Sequence, residues 1–482
     1  MAPRAVLGLV PLLALSLAGC VTQSALDPSA LPPLAAPLRF LPAVAMDQPS
    51  AGAEPNIAVA QDGALFIAAV AGSQERPNAL EGAAWLWRSQ DDGASWETLR
   101  APVRETPLGS LPMTRRPFGS SDADVIASPD GWVYYTDWWN WGIPLAGVPV
   151  ASSRYGSYLV EASSDGGATW SSAPVTTLDS LNGVDRQWLV AGPDGFVGLF
   201  YAYFHGLQNT VRTVGDLFGR SDFIMSVQAV YSFDHGATWT NPVTVVDPVP
   251  DRSYQIAHPM VLADGTLVMP FGNVGPGTDF WHNPSSVRVA VSENNGASWF
   301  LRTVADVPEG FDNLWAVQGA ADSAGTIYVA WAARAGENMT LFEAHSADEG
   351  LTWTAPRALR SAGLNFLPWV AAHAPGHVAV GWYGGDAQGK PEEAGDDAAW
   401  FAYVAQSRDG GAAWSVAKVS DEPVKVGALC PKGAACTANR ELLDYVSLAY
   451  APDGRLHVAF VKSRELDGGV KAGLVHYAGA SG

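Results

Sequence analysis

The sequence predicts an all-β fold made of repeated four-stranded blades, a β-propeller, and two repeated patterns carry that prediction. The first is an eight-residue stretch, Ser-x-(Asp/Asn)-x-Gly-x-x-Trp, which occurs at 89–96, 163–170, 232–239, 292–299, 346–353 and 407–414. The second is a hairpin pattern of two apolar runs around a turn, centred at residues 62–63, 130–131, 194–195, 264–265, 324–325, 375–376 and 453–454. Such regular recurrence indicates a repeat architecture. With 50 Gly, 34 Pro and 19 Trp and no sustained helical periodicity, we expect almost no helix.

The eight-residue stretch is typical of a tight turn between two strands. In the copy at 163–170, Asp165 can accept hydrogen bonds from nearby backbone amides, Gly167 can supply a positive φ, and Trp170 can pack. Apolar or alternating runs such as 225–231 precede the copies and predict strands. Turn chemistry therefore explains these residues without a catalytic role.

This stretch resembles the Asp-box of the sialidase superfamily, also called the bacterial neuraminidase repeat. The resemblance implies a propeller, structural turns far from the substrate, and an exo-α-sialidase-like glycoside hydrolase. Members of that family hold a sugar carboxylate with three arginines, and they use a Tyr paired with a Glu as nucleophile and an Asp as acid/base. The first family arginine lies in an Arg-Ile-Pro motif. The matching position here reads Glu54-Pro55-Asn56, and no Arg-Ile-Pro occurs in the chain.

The first 36 residues predict export and a lipid anchor. Residues 1–19 form a signal peptide with Arg4 at its start and an apolar middle at 6–17, too short to span a bilayer. Leu17-Ala18-Gly19-Cys20 resembles the lipobox of bacterial lipoproteins, which makes Cys20 the lipidated residue; an ordinary secretory peptide is the alternative. Val21 after the cysteine favours the outer membrane, by resemblance to Gram-negative lipoproteins. Residues 20–36 read as a flexible tether and 37–482 as a single domain.

A hairpin, a strand, the eight-residue turn and a final strand together form one four-stranded blade. The seventh hairpin is followed by a third strand at 471–477, and no fourth strand follows it. The run Leu38–Ala45 has no partner of its own and can supply that strand, which would close the ring without an open edge. We therefore expect seven blades closed by an N-terminal strand, with six as the alternative because sialidases have six.

The starts of the first strands should converge on the axis of one face, opposite the Asp-boxes, and several polar residues occupy these starts. If hydrolysis occurs, a Tyr or carboxylate nucleophile and a protonated carboxylic acid must flank the glycosidic bond. The candidates are Tyr445 with Asp444 or Glu441 as nucleophile, and Asp124 or Asp185 as acid. The alternative is that such residues cap strand ends. The full catalytic set is Asp124, Asp185, Arg186, Asp444 and Tyr445.

Substrate binding is predicted at Glu54, His258, Asp312, Trp139, Trp141, Trp281 and Arg288. Indole rings stack on sugar C–H faces, although they could equally fill the spaces between blades. Arginine grips a carboxylate through two parallel hydrogen bonds, and Arg186, Arg288, Arg116 and Arg440 are the best-placed candidates.

The remaining features bound the partners and cofactors. Cys430 and Cys436 predict a local disulfide in an exported chain. No cofactor is expected, although loop carboxylates could bind Ca²⁺ without a dedicated motif. A net charge of -20 argues against nucleic acid as a partner. We expect a monomer that meets the membrane only through its anchor and acts as a glycosidase, with a non-catalytic glycan- or protein-binding propeller or a scaffold as alternatives.

Overall fold

The computed structural model describes residues 37–48, 51–71, 81–82, 84–100, 103–104, 122–140, 156–175, 183–205, 224–249, 253–274, 284–307, 311–430, 436, 438–442, 444–466 and 470–481. Within these ranges the regular structure consists of strands and one 3₁₀ turn, Pro391–Glu393. None of the described segments forms a helix long and apolar enough to cross a membrane. The predicted all-β class is confirmed.

The first four sheets follow one another along the chain, and each is antiparallel. Sheet 1 contains β2 (Gly52–Val59), β3 (Leu65–Ala71), β5 (Trp85–Ser89) and β6 (Glu97–Arg100). Sheet 2 contains β8 (Ala123–Ala127), β9 (Val133–Asn140), β10 (Gly156–Ser163) and β11 (Ser171–Pro174). Sheet 3 contains β12 (Gly183–Ala191), β13 (Val197–His205), β14 (Ile224–Ser232) and β15 (Val243–Val246). Sheet 4 contains β16 (Ser253–Ile256), β17 (Met260–Val261), β18 (Leu267–Val274), β19 (Pro284–Ser292) and β20 (Phe300–Asp306).

The remaining strands form three further sets. Sheet 5 contains β21 (Phe311–Ala321), β22 (Ile327–Ala335), β23 (Asn338–Ser346) and β24 (Arg357–Arg360). Sheet 6 contains β25 (Leu364–Ala372), β26 (Val378–Gly385), β27 (Ala399–Ser407) and β28 (Ser415–Lys418), and β29 (Lys425–Val426) also pairs with β27. A single parallel bridge, Met339 to Leu364, joins sheets 5 and 6. Sheet 7 contains β30 (Ser447–Tyr450), β31 (Leu456–Leu466), β32 (Val470–Gly479) and β1 (Val44–Ala45). Outside these sets, β4 (Glu81–Gly82) pairs with β7 (Val103–Arg104).

The predicted run near the N-terminus pairs with the last strand of the chain. Val44 and Ala45 lie opposite Tyr477 and His476, in antiparallel register. The Met46 amide donates to the Val475 carbonyl at 3.0 Å. β1, Val44–Ala45, lies within the predicted run 38–45 and is the fourth strand of sheet 7 among the described residues.

Each eight-residue stretch forms the turn between the third and fourth strands of its sheet, in sheets 1 to 6. In sheet 2, Ser163 Oγ donates to Asp165 Oδ1 at 2.8 Å and accepts from the Gly167 amide at 2.8 Å. Asp165 Oδ1 in turn accepts from the Thr169 amide at 2.8 Å, and Trp170 Nε1 donates to the Gly167 carbonyl at 3.0 Å. Gly167 has φ +84°, a conformation that a side chain disfavours. The structural interpretation of this stretch is confirmed.

The hydrophobic core lies between neighbouring sheets. Ile67 and Trp87 of sheet 1 pack with Val475 of sheet 7, and on the other side of sheet 1 Phe66 packs with Val125 of sheet 2. Comparable clusters lie between sheets 2 and 3, 4 and 5, and 5 and 6, and a larger one includes Trp188, Trp369 and Tyr445. These contacts bury one face of each sheet against the next.

The first strands of the sheets contact one another in sequence order. β2 contacts both β8 and β30, β8 contacts β12, β12 contacts β17, β16 and β17 contact β21, β21 contacts β25, and β25 contacts β30. β16 and β17 pair with the same edge of β18 and together stand as the first strand of sheet 4. In several first strands a β-bulge interrupts the two-residue alternation of side chains. The register shifts between Ala53 and Asn56 in β2, and between Asp185 and Trp188 in β12. Equivalent shifts occur in β21 and β25.

Candidate functional site

The bulges place polar side chains at the ends of the first strands. Glu54, Arg186 and Leu367 occupy the bulges of sheets 1, 3 and 6 with φ of 50°, 54° and 57°. Positive φ is costly for these residues, so surrounding contacts must hold it. A bulge re-aims the side chain relative to regular pleating. Two of the three residues so placed, Glu54 and Arg186, carry charge.

A cleft opens beside these bulges between sheets 3, 4, 5 and 7. Its polar lining consists of Asp185, Arg186, Gln255, Gln318, Asp444 and Tyr445. Its apolar lining includes Trp188, Ala202, Phe204, Met225, Ile256 and Val317. The cleft therefore combines hydrogen-bonding groups with an apolar wall, as small-molecule sites do.

A carboxylate held by two guanidinium groups forms the first charged cluster. Asp444 contacts Arg186 and accepts from Arg440 Nη2 at 3.0 Å through Oδ1 and 2.9 Å through Oδ2. Burial would raise the pKa of Asp444, but Arg440 and Arg186 hold it below the ordinary value. Arg440 Nη2 also lies 3.8 Å from Glu54 Oε1. Burial, and then the charges of Asp444 and Asp122, raise the pKa of Glu54 well above its ordinary value.

Two carboxyl groups form a second cluster at the first strands of sheets 2 and 3. Burial raises the pKa of Asp185 to about 7, with Asp122 as the next cause through its charge and a hydrogen bond. Both carboxyls also accept from the Arg186 amide, Asp122 at 3.2 Å and Asp185 at 3.0 Å. Tyr158 Oη is buried nearby and has no hydrogen-bond partner among the described residues. Burial, then Asp185 and Asp122, raise the pKa of that phenol. The Asp185 carboxyl therefore has a pKa close to neutral pH.

Tyr445 lies in an aromatic cluster beside the charged groups. Its ring centroid is 5.5 Å from that of Trp188 and 5.3 Å from that of Trp369, and the two indoles are 5.7 Å apart. The His258 ring packs 5.4 Å from Trp188. Burial raises the pKa of Tyr445 well above its ordinary value, and Glu54 is the next cause. The phenol is therefore neutral at ordinary pH.

Asp124, a predicted acid, is fully buried and shares hydrogen bonds with neighbouring sheets. It accepts from the Leu189 amide at 2.6 Å and from the Asn56 side chain, and its Oδ2 lies 3.3 Å from His258 Nε2. These partners come from sheets 1, 3 and 4, and Asp124 itself belongs to sheet 2. These contacts favour a role for Asp124 in joining sheets. Its catalytic role stays a prediction.

The other predicted residues lie in different places. Arg288 in β19 donates from Nε to Ser286 Oγ at 3.1 Å and does not line the cleft. Glu441 forms a buried ion pair with Lys425 at 2.6 Å. The predicted disulfide between Cys430 and Cys436 is present. The backbones of Trp139 and Asp312 lie in β9 and β21, but their side chains lie outside the description, as do Trp141, Trp281, Arg116 and Cys20 entirely.

Sequence reasoning missed Trp188, Gln255 and Gln318. Gln255 lines the cleft, is 8% exposed, and has no hydrogen-bond partner for Nε2 or Oε1 among the described residues. Gln318 Oε1 accepts from the His258 amide at 3.1 Å. Trp188 could have been found by comparing the repeats. It lies two residues after the bulge residue Arg186, and Trp369 lies two residues after Leu367. Asn56 occupies the same position in sheet 1. The described residues contain no group of three or more His, Cys, Asp or Glu that could hold a metal ion.

Comparison with known proteins gives distant structural matches. No family model matches the sequence, and no curated protein matches it. A Hadza microbial sialidase aligns at 15% identity and TM-score 0.45. The alignment covers 74% of this chain and 64% of the sialidase. The α-L-arabinanase of Penicillium chrysogenum, complexed with arabinobiose, aligns at 16% identity and TM-score 0.46, over 80% of this chain and 99% of its own. A PL25 ulvan lyase aligns at 12% identity and TM-score 0.48, over 87% and 93%. These matches are too distant to transfer a substrate, a reaction or a residue role.

Proposed function

We propose that residues 37–482 form a single seven-bladed β-propeller, closed by the N-terminal strand, and that its axial cleft acts on glycans as a glycoside hydrolase. The seven sets of strands, each built on a path of four paired strands, and the pairing of β1 with β32 support the blade count over six. Contacts of β2 with both β8 and β30 support a closed ring. The first strands then surround the axis, with the cleft on the face opposite the Asp-boxes.

One observation carries the catalytic part of the proposal: a carboxyl whose pKa is raised to about 7, Asp185, and a phenol, Tyr445, line the same cleft. Asp185, whose pKa is raised to about 7 by burial and by Asp122, is suited to protonate a leaving-group oxygen. A general acid is most useful when its pKa lies near the working pH.

The nucleophilic side of the proposal uses Tyr445 with Glu54. Asp444 is held by two arginines and Glu441 by Lys425, so neither is free to act as a base for the phenol. Glu54 is the carboxyl with the largest effect on the pKa of Tyr445. A base is required because burial keeps the phenol protonated. We assign Tyr445 as the nucleophile and Glu54 as its base, acting in the molecules in which Glu54 is ionised and can accept the phenol proton, since burial raises the pKa of Glu54. This changes the partner expected from the sequence.

A non-catalytic glycan-binding propeller is the second candidate, and the raised pKa of Tyr445 favours it. An aromatic cluster beside polar groups can bind a sugar without cleaving it. The two candidates differ in turnover but not in the location of the site.

Hydrolysis of a panel of aryl glycosides, including a sialoside, separates the two candidates. Asp185→Asn and Tyr445→Phe are each expected to lower kcat/KM on the active substrate by about 10²–10⁴-fold. Asp322→Asn is the matched control, since Asp322 is a buried carboxylate in the turn before β22, bonded to the Thr326 amide at 3.0 Å. Turnover that is unaffected in Asp185→Asn contradicts the assignment. Binding on a glycan array without turnover of any glycoside supports the second candidate instead.

We further propose that Cys20 carries a lipid anchor in the outer membrane and that the protein is a monomer. The lipobox-like sequence and Val21 support the anchor. Fatty-acid labelling of the intact chain tests it, and absence of label on Cys20 would refute it.

A further inference from the structure

The position of Asp444 determines which ligands the two arginines can accept. Its carboxylate contacts Arg186 and receives Arg440 Nη2 at 3.0 and 2.9 Å, and its side chain is 1% exposed. Side chains of Arg186 and Arg440 are 14% and 10% exposed. A carboxylate between two guanidinium groups is the arrangement that an acidic ligand would itself form. Asp444 is therefore an internal counter-ion for this arginine pair.

An acidic ligand would meet an unfavourable charge balance in this cleft. To reach either guanidinium, the acidic ligand would have to displace Asp444 or lie beside it as a second carboxylate. Two carboxylates that contact the same guanidinium group repel each other. Glu54, whose Oε1 lies 3.8 Å from Arg440 Nη2, adds to the repulsion when it ionises. Displacement would leave Asp444 buried and unpaired, which is costly.

Uncharged polar groups of the cleft point to a different ligand. Gln255 is more than nine-tenths buried, lines the cleft, and has neither its amide donor nor its acceptor bonded within the described residues. A buried amide with no partner carries a desolvation penalty that a ligand hydroxyl or amide would relieve. The opposite wall, with Phe204, Met225 and Ile256, is apolar.

We propose that the axial cleft takes an uncharged glycan segment, that Gln255 binds it, and that Asp444 is the specificity-determining residue that closes Arg186 and Arg440 to acidic sugars. The glycan part of this inference rests on the proposed function. The role of Asp444 rests on the ion-pair geometry alone and is testable without any sugar.

Chemical rescue by a small anion tests Asp444 directly. Asp444→Ala is expected to unfold at a lower temperature than wild type, and formate is expected to restore Tm saturably, because it refills the anion position between the guanidinium groups. Formamide, which has nearly the same shape but no charge, should not restore it. Asp322→Ala is the matched control, since Asp322 accepts from backbone amides and from Tyr328 and the structure shows no arginine contact to it. A folded Asp444→Ala that responds equally to formate and formamide, or no more than Asp322→Ala does, overturns the assignment.

Matched substrate pairs test the ligand class. The first pair is an aryl galactoside and the matching galacturonide, and the second is an aryl glucoside and the matching glucuronide. Wild type is expected to turn over or bind the neutral member of each pair at least about tenfold better than the acidic member. Gln255→Leu should weaken that binding. Should Asp444→Ala fail to fold, Asp444→Asn keeps the size and removes the charge, and its preference is expected to shift toward the acidic member. Preference of wild type for a uronide or a sialoside overturns the inference and leaves the glycosidase proposal standing.

If no glycoside is turned over, the proposed hydrolase fails while the formate result still decides the role of Asp444. Binding on an array of neutral and acidic glycans then decides the ligand class. Binding confined to acidic glycans contradicts the inference, and binding confined to neutral ones supports it.

Discussion

At the scale of single residues, burial sets the charge states on which the site depends. Asp185 and Asp444 belong to the same cleft and have the same side chain, yet their pKa values move in opposite directions. Asp185 faces another carboxyl and has its pKa raised to about 7, whereas Arg440 and Arg186 lower the pKa of Asp444 despite its burial. The first can donate a proton near neutral pH and the second cannot.

Asp185 should also make stability depend on pH. Between the pKa of the unfolded chain, about 4, and the folded value of about 7, the folded protein holds a proton that the unfolded chain has released, so stability falls as pH rises through this window. Asp185→Asn removes that slope, and relative to wild type it should gain about 1–3 kcal/mol between pH 5 and pH 8. Thermal unfolding at both pH values measures the change.

Tyr445→Phe is the control for this experiment, because the phenol stays protonated across the window and its loss should leave the slope as in wild type. A stability difference between Asp185→Asn and wild type that is the same at pH 5 and pH 8 would contradict the shifted pKa.

At the scale of elements, the Asp-box turn is a self-contained hydrogen-bond unit whose members differ in importance. Ser232 Oγ is buried and both donates to Asp234 at 2.7 Å and accepts from the Gly236 amide at 2.8 Å. The seventh position matters less, because the box of sheet 6 has Ala413 there and its amide still donates to Asp409 at 2.9 Å. The hydroxyl of Thr238, when present, lowers the pKa of Asp234 to about 2.

Ser232→Ala is expected to destabilise the protein by about 1–3 kcal/mol, since the buried Gly236 amide loses its acceptor. Thr238→Ala, the matched control in the same turn, should have a much smaller effect at pH 7. Denaturant unfolding of both variants measures the difference. Equal losses would show that the serine is not the central acceptor of the turn.

At the scale of the whole molecule, the first and last segments of the chain meet in one sheet. β1 covers the edge of β32, and the Leu41 and Met46 amides donate to the carbonyls of Gly479 and Val475 at 2.9 and 3.0 Å. Sheet 7 also contacts the Asp-box of sheet 1, where Arg455 pairs with Asp92. Residues distant in sequence therefore hold sheets 7 and 1 together.

Removing residues 20–46 should destabilise the protein by about 3 kcal/mol or more, because it removes backbone hydrogen bonds and the buried Met46 side chain. The exposed edge of β32 should also promote self-association. Removing only 20–36, which keeps β1, is the control. Light scattering after size exclusion and thermal unfolding measure both effects, and identical behaviour of the two truncations would contradict the role of β1.

Local residue patterns predicted the repeats, the hairpins, the Asp-box turns, a strand within 38–45 that pairs outside its own hairpin, and the Cys430–Cys436 disulfide. Each depends on residues close together in the chain, or on a strand left without a partner, and such signals are local. The same reasoning identified Asp185, Arg186, Asp444 and Tyr445 as residues of one face, and the cleft brings these four together.

Only the tertiary structure decided the partners and charge states of those residues. The bulges at Glu54 and Arg186 break the two-residue period, so the hydrophobic pattern did not reveal where the strands begin or how these side chains are aimed. Arg186 and Arg440 meet Asp444 across sheets 3 and 7, and Gln255 enters the cleft from sheet 4. Electrostatic interactions depend on distance and burial in space, which residue order along the chain does not specify.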